Sequence, residues 1–273
     1  MRTLRTAVIT VASCVLLAGH LSGQAKVQVT QGPELEEFLK TAKLVSLVDI
    51  GKGVTRSRKA TLELNGVTES AVFKIIDEKP MIGVTTLEDG RIDAEFQDSW
   101  RTEVAAYELD KMIGLGMVPA TVERRLDNKV GSLQFWVASV MDEKKRQKEN
   151  VRPPDPQAWN DQMNKLFVWD NLIYNVDLNL GNILITEQWG MIAIDHSRTF
   201  RPFAKLKDTK LMVRFSRSLM AKLADLREPE MKARLGKYLA PNQIQGLLKR
   251  RDLIVAFATK LAAEKGEAAV FYQ

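Results

Sequence analysis

DNLIYNVDLNLGNILITEQWGMIAIDHSRTF, residues 170–200, holds two short apolar runs, Ile183-Leu184-Ile185 and Ile192-Ala193-Ile194, on either side of a turn at Thr186–Gly190. The pattern predicts an antiparallel hairpin over Ile183–Ile194. Asn182 and Asp195 lie about equally far from the turn, so they are expected to face each other at its open end, with Cα atoms roughly 5 Å apart. An amide oxygen and a carboxylate brought together there suit Mg²⁺, a hard cation that takes few protein ligands and keeps places for phosphate oxygens. Asp177 sits five residues before Asn182 on the incoming loop. That puts a second acid near the same end, where it could accept or orient a hydroxyl proton. Asn182 or Asp195 alone reads as an ordinary turn or strand-end residue. The ordered trio, with apolar strands between its members, points to a metal-assisted site.

Outward from this hairpin the two halves of the chain differ. On the C-terminal side, Lys210–Asp225, Glu228–Tyr238 and Asn242–Ala263 have amphipathic helical periodicity, and Asp161–Tyr174 before the hairpin reads as one helix. On the N-terminal side, Pro33–Lys43 reads as a short helix with proline at its first position and acids in its first turn. Leu44–Ile50, Ala60–Leu64 and Ala71–Ile76 read as strands, and Ser99–Ile113 as a helix stopped by Gly114 and Gly116. Val118–Arg124 and Leu133–Met141 are further expected strands. Residues 142–158, DEKKRQKENVRPPDPQA, are charged, proline-rich and nearly free of apolar side chains. They form the expected connection between a strand-rich first half, 26–141, and a helical second half, 142–273.

Two charges sit where apolar residues are expected. Lys74 shares a strand face with Val72 and Ile76, and needs a carboxylate or a phosphate to offset its desolvation unless its amine reaches water at a sheet edge. Glu103 lies three residues after Trp100 and four before Tyr107, on the inward face of its helix. The bland alternative is a glutamate at the rim. Two misplaced opposite charges, one on a strand and one on a helix, invite pairing.

The composition narrows the chemistry. The 273 residues are 45% hydrophobic and 27% charged, a globular balance that excludes collagen-like, coiled-coil and mainly disordered chains. Residues 1–25 read as a secretory signal: Arg2 and Arg5, the apolar stretch Ala7–Gly19, then Gly23-Gln24-Ala25 as a cleavage site. An uncleaved anchor, or a lipoprotein acylated at Cys14, are the alternatives. The expected mature chain keeps no cysteine and one histidine, His196, which leaves at most one imidazole for a Ser-His-Asp triad or a zinc site. Carboxylates, amides, lysine and a hard cation remain, the composition of a phosphate-handling site. The net charge of +6 comes with no obvious basic tail, and no nucleic-acid partner or membrane-spanning helix is expected in the mature chain. Lys249-Arg250-Arg251 reads as a solvated helix face, or alternatively as an attractor of acidic substrates or membrane phosphates. The tryptophans read mostly as core, and His196 as a group that positions a phosphate or makes a supporting hydrogen bond.

Lys74, Glu103, Asp177, Asn182 and Asp195 stand in the order of the protein-kinase set: strand lysine, helix glutamate, catalytic aspartate, metal asparagine, metal aspartate. The run from Glu103 to Asp110, with Gly114-Leu115-Gly116-Met117-Val118-Pro119 after it, resembles the corresponding helix and following strand of Fam20-type secretory-pathway kinases. Asp170 to Asp177, followed by Gly181-Asn182-Ile183-Leu184, is similar to the catalytic loops of that family and of phosphatidylinositol kinases. Ile194 to Phe200 resembles their metal-binding segment. The chain departs from the general pattern in having no His-Arg before Asp177 and no Phe-Gly after Asp195. The resemblance implies a bilobal α+β kinase-like fold and transfer of the ATP γ-phosphoryl group to a hydroxyl on a protein, glycan or small molecule. It implies that Lys74 holds phosphates and pairs with Glu103, that Asp177 is the catalytic carboxylate, and that Asn182 and Asp195 bind Mg²⁺ or Mn²⁺. Gly51 and Gly53 then cover the phosphates, Met141 lies in the hinge near the adenine, and Asp170 supports the backbone of the catalytic loop. A nucleotide-binding pseudokinase and a nucleotidyl transferase using the same residues are the competing expectations.

Overall fold

The computed structural model describes residues 28–51, 57–78, 85–86, 92–93 and 97–273. The expected signal segment and Gly53 lie outside the described residues. Helix α1 (Pro33–Thr41) begins on its proline and ends at Ala42. Strands β1 (Lys43–Asp49), β2 (Arg58–Leu64) and β3 (Val67–Lys74) follow as antiparallel neighbours. Asn65 and Gly66, both at positive φ, make the tight turn between β2 and β3. The two-residue strands β4 (Asp77–Glu78), β5 (Thr85–Thr86), β6 (Ile92–Asp93) and β7 (Asp98–Ser99) pair as β4 with β7 and β5 with β6, and lead to helix α2 (Trp100–Ile113). Ser99 caps α2 through a bond from Arg101 N–H, and Gly114 closes it in the left-handed region at φ 62°. Strands β8 (Thr121–Leu126) and β9 (Lys129–Phe135) complete a five-stranded antiparallel sheet in the order β1-β2-β3-β9-β8.

One face of this sheet carries Ala60, Leu62, Ala71, Phe73, Leu133 and Phe135, all buried. Lys74 belongs to the other face, opposite Ser132, with Val72 opposite Gln134. The period of two therefore places a charged residue at the inner end of β3 while its neighbours fill the core.

The C-terminal half contains β10 (Met141–Asp142), α3 (Glu143–Lys148), α4 (Pro156–Leu172), β11 (Ile183–Ile185), β12 (Met191–Ala193), β13 (Phe215–Ser216), α5 (Arg217–Asp225), α6 (Glu228–Leu235), α7 (Pro241–Lys265), α8 (Glu267–Val270) and β14 (Phe271–Tyr272). Strands β10, β11 and β12 form a small antiparallel sheet, and β13 pairs in parallel with β14. The fold is α+β, with strands concentrated in the first half and helices in the second. Among the described residues no helix is long and apolar enough to cross a membrane.

The structure departs from the sequence reading at several points. The expected strand Leu133–Met141 is two strands, because the chain leaves β9 after Phe135 and rejoins a different sheet where Val140 N–H meets Ile185 O at 2.9 Å. The expected strand Val118–Arg124 starts only at Thr121, since residues 116–118 form a turn bonded to the Asp110 carboxylate. The helix expected from Lys210 begins at Arg217, after Ser216 caps it and Phe215 is buried in β13. Within the charged connection, α3 forms because Asp142 accepts Lys145 N–H at 2.7 Å and buried Glu143 holds Arg146. The expected solvated face Lys249-Arg250-Arg251 is overturned at its centre: Arg250 is fully buried and donates to the carbonyls of Leu172, Arg201 and Phe203 at 2.8, 2.7 and 2.6 Å.

Candidate active site

The site begins where β3 ends. Lys74 Nζ donates to Glu103 Oε1 at 2.5 Å and to Asp195 Oδ1 at 2.7 Å. Glu103, only 1% exposed, stands on the inward face of α2, and its second oxygen accepts His196 N–H at 3.1 Å. Burial disfavours the Lys74 ammonium, but the Glu103 and Asp195 carboxylates outweigh it and hold its pKa above the ordinary lysine value. Burial likewise pushes Asp195 up, yet Lys74 overrides it and keeps this carboxyl below its usual range. For the enclosed Glu103, burial prevails over Lys74 and the shift is upward.

Asp195 reaches Lys74 through an unusual backbone. Strand β12 stops at Ala193, Ile194 N–H bonds to Asn182 O at 3.0 Å, and Asp195 takes φ 64°, the left-handed region. The register pairs Ile183 with Ala193, so Asn182 faces Ile194, and the expected direct facing of Asn182 and Asp195 is off by one residue. Asn182 ends the short 3-10 turn Leu180–Asn182, and its carboxamide has no hydrogen bond among the described residues. The other asparagines of this loop and of the end of α4 are committed. Asn171 bonds the backbone of Phe167, Lys207 and Asp208, while Asn175 accepts Asp177 N–H and Asn179 accepts Gly181 N–H.

Asp177 has a half-exposed side chain, and its Oδ2 accepts Arg198 Nη1–H at 3.3 Å. Partial burial raises its pKa; Arg198 and Lys207 oppose the shift, and Asp195 and Asp98 add to it. The loop beneath is braced by Lys207, whose Nζ donates to Asp170 Oδ2 at 2.8 Å and to Asn175 O at 2.5 Å. Asp170 also supports the loop through its own carbonyl, which accepts Asn175 N–H at 3.0 Å. His196 is buried, and its Nε2 accepts Trp169 Nε1–H at 3.2 Å. That fixes a neutral imidazole protonated at Nδ1, and burial pushes the pKa down to about 4.

Lys74, Glu103 and Asp195 are thus in direct contact. Asn182 joins them through the Ile194 backbone, and Asp177 through its charge interaction with Asp195, while Arg198 ties Asp177 to Asp98. Met141 pairs with Ile185 on the small sheet that also carries the hairpin. Gly51 lies beyond the end of β1 at φ 68°, exposed, in a conformation that suits glycine. Sequence reasoning missed Arg198, Lys207, Asp98 and Trp169 as supports. Arg198 stands three residues after Asp195, but two of its partners, Asp177 and Asp98, lie 21 and 100 positions away, a separation that no local pattern reveals.

Among the described residues no three His, Cys, Asp or Glu side chains cluster to hold a metal. The donors at hand are the unbonded Asn182 amide and the Asp195 carboxylate, of which one oxygen is taken by Lys74. A neutral oxygen and one carboxylate fit Mg²⁺ or Mn²⁺ completed by phosphate oxygens and water.

No protein-family model matches the chain, and a search of curated proteins gave no match. Solved structures do match it. Hydra Fam20, determined with sugar, superposes with a TM-score of 0.64 at 16% identity, covering 87% of this chain and 91% of that one. The Golgi casein kinase gives 0.57 at 14% identity, covering 87% and 78%, and the Helicobacter pylori proinflammatory kinase CtkA gives 0.52 at 12%, covering 84% and 98%. The fold is therefore kinase-like, of the atypical Fam20 kind.

Proposed function

We propose that the chain is an exported ATP-dependent phosphotransferase that moves the γ-phosphoryl group to a hydroxyl on a protein, a glycan or a small molecule. The observation that carries this reading is Lys74 held between Glu103 and Asp195, with the Asn182 backbone bonded to Ile194 next to Asp195, on a kinase-like scaffold. Residues 26–141 form the nucleotide-covering lobe, with Gly51 over the phosphates and Met141 at the hinge. Residues 142–273 form the lobe of the catalytic loop, and residues 1–25 direct export. Lys74 binds the α- and β-phosphates, and Glu103 sets its position.

Asn182 and Asp195 hold the divalent ion, which when bound neutralises charge on the phosphates. Asp177 orients the acceptor hydroxyl and takes its proton as the oxygen bonds to the γ-phosphorus. The bond from that phosphorus to the bridging oxygen breaks, and ADP leaves. Catalysis rests on positioning and charge, with no covalent enzyme intermediate.

Incubation of the chain with γ-labelled or α-labelled ATP and Mn²⁺ tests the reading. Transfer of the γ-label supports it. Transfer of the α-label assigns nucleotidyl transfer instead, and nucleotide binding without turnover assigns a pseudokinase.

A further inference from the structure

Arg198 joins parts of the molecule that are distant in sequence. Its Nε donates to Asp98 Oδ2 at 2.9 Å and its Nη1 to Asp177 Oδ2 at 3.3 Å. Asp98 sits in β7, at the entrance to α2; its side chain is 1% exposed, and its other oxygen has no hydrogen-bond partner among the described residues. A buried carboxylate in that condition depends on its one cation. The backbone around Arg198 is pinned to the same place. Ser197 O accepts Ser99 N–H at 2.9 Å, Thr199 O accepts from Gln97 Nε2 at 2.6 Å, and His196 O accepts from Thr102 Oγ1 at 2.9 Å.

Asp98 is therefore one buried anchor of the guanidinium, and the rigid planar fork carries a second arm from it. That arm meets the half-exposed Asp177 side chain, for which no other side-chain hydrogen bond is found among the described residues. We infer that Arg198 is a positioning residue: anchored on Asp98, it holds Asp177 by Oδ2 and leaves Oδ1 to meet the acceptor hydroxyl. This rests on the reading of Asp177 as the group that takes the hydroxyl proton. A lysine at this position does not do the same, because its ammonium is a point charge without the rigid planar fork that carries one arm from Asp98 to Asp177. The charges that act on Asp177 are Arg198 and Lys207, which favour its ionised form, and Asp195 and Asp98, which oppose it.

The test compares wild type, Arg198→Lys and Asp98→Asn in the full chain, following ADP release from Mg-ATP with water as acceptor across pH. Arg198→Lys should lose about 100-fold in kcat, the scale of a misplaced reacting group, with KM for ATP and the Mg-ATP thermal shift retained. Its acid limb should move to higher pH, because the ammonium keeps its charge but loses the arm bonded to Asp177 and so favours the ionised form less. Asp98→Asn should lose kcat in smaller degree with KM for ATP retained and with its acid limb not raised, since it also removes a charge that opposes ionised Asp177; its kcat decides the matter if Arg198→Lys fails to fold. Wild-type kcat and acid limb in the variants overturn the inference alone. So does, in Arg198→Lys, a loss of kcat with an unmoved limb and a lower melting temperature, the mark of a merely structural residue. A wild type that binds Mg-ATP without turnover overturns the phosphotransfer reading, and this inference with it.

Discussion

Lys74 is enclosed by two carboxylates, and one of them, Glu103, has almost no access to water. Removing the lysine leaves that acid buried beside Asp195 with no cation, which is where the energetic penalty arises. Lys74→Met should lower stability by about 3–5 kcal/mol, the usual loss when one partner of a buried pair is removed. The double variant Lys74→Met with Glu103→Leu should recover most of it, since neither buried charge then remains. Urea denaturation of the two variants checks this; a double variant no more stable than the single one contradicts it. Arg250 presents the opposite case, a buried cation that donates through Nε and Nη1 to three carbonyls and, among the described residues, meets no carboxylate and leaves Nη2 without a partner, with burial lowering its pKa to about 10. It ties the end of α4 to the segment that follows Asp195, so its place in the chemistry is indirect.

At the scale of elements, the site depends on how closely β9 lies against β3. A Cβ on Gly131 would stand 2.1 Å from the Lys74 carbonyl oxygen, part of the backbone that presents the Lys74 side chain. Gly131→Ala must push the two strands apart, at about 1–3 kcal/mol by the usual cost of overpacking. It should also reduce turnover by more than a surface alanine does, which parallel melting and activity measurements would show. The far end of α2 is set by Asp110, buried and accepting the N–H groups of Gly116, Met117 and Val118 at 3.0, 2.9 and 2.8 Å. That turn in turn supports the hairpin, because Met117 O accepts Ala193 N–H at 2.9 Å. Asp110→Ala strands several donors at once and should cost at least about 3 kcal/mol, given roughly 1–3 for each buried group left unsatisfied. A melting temperature equal to wild type would show that the turn holds without the carboxylate.

For the whole molecule, the buried apolar residues form one cluster that runs from the five-stranded sheet through α2 to the C-terminal helices. The described chain should accordingly unfold in one transition when heated without ligand, and two resolved calorimetric peaks would contradict that. Mg-ATP binds across the two halves in the proposed reading. At a concentration 100 times its Kd it should add about 2.7 kcal/mol of stability. For a chain of this length that is a rise of several degrees in Tm, at roughly 2–4 °C per kcal/mol. Asp195→Ala should abolish the metal-dependent part of the rise, whereas Asp177→Ala should keep it and stop transfer. Equal loss of binding in both variants would refute the division of roles.

The sequence by itself determined the principal strands and helices, the hairpin at Thr186–Gly190, and the polar residues to which the proposed chemistry is assigned. Amphipathic period, capping residues and the apolar runs flanking Thr186–Gly190 are local properties, and local physics suffices to read them. It also marked Lys74 and Glu103 as a pair, because charges on otherwise apolar faces have few other resolutions. Only the tertiary structure decided that Asp195 turns toward Lys74 through a left-handed backbone, that Asn182 faces Ile194, and that Arg250 is buried. It alone brought Asp98, Arg198 and Asp177 together. These outcomes depend on which distant backbone groups meet in three dimensions, and a one-dimensional pattern carries no term for a partner 100 residues away.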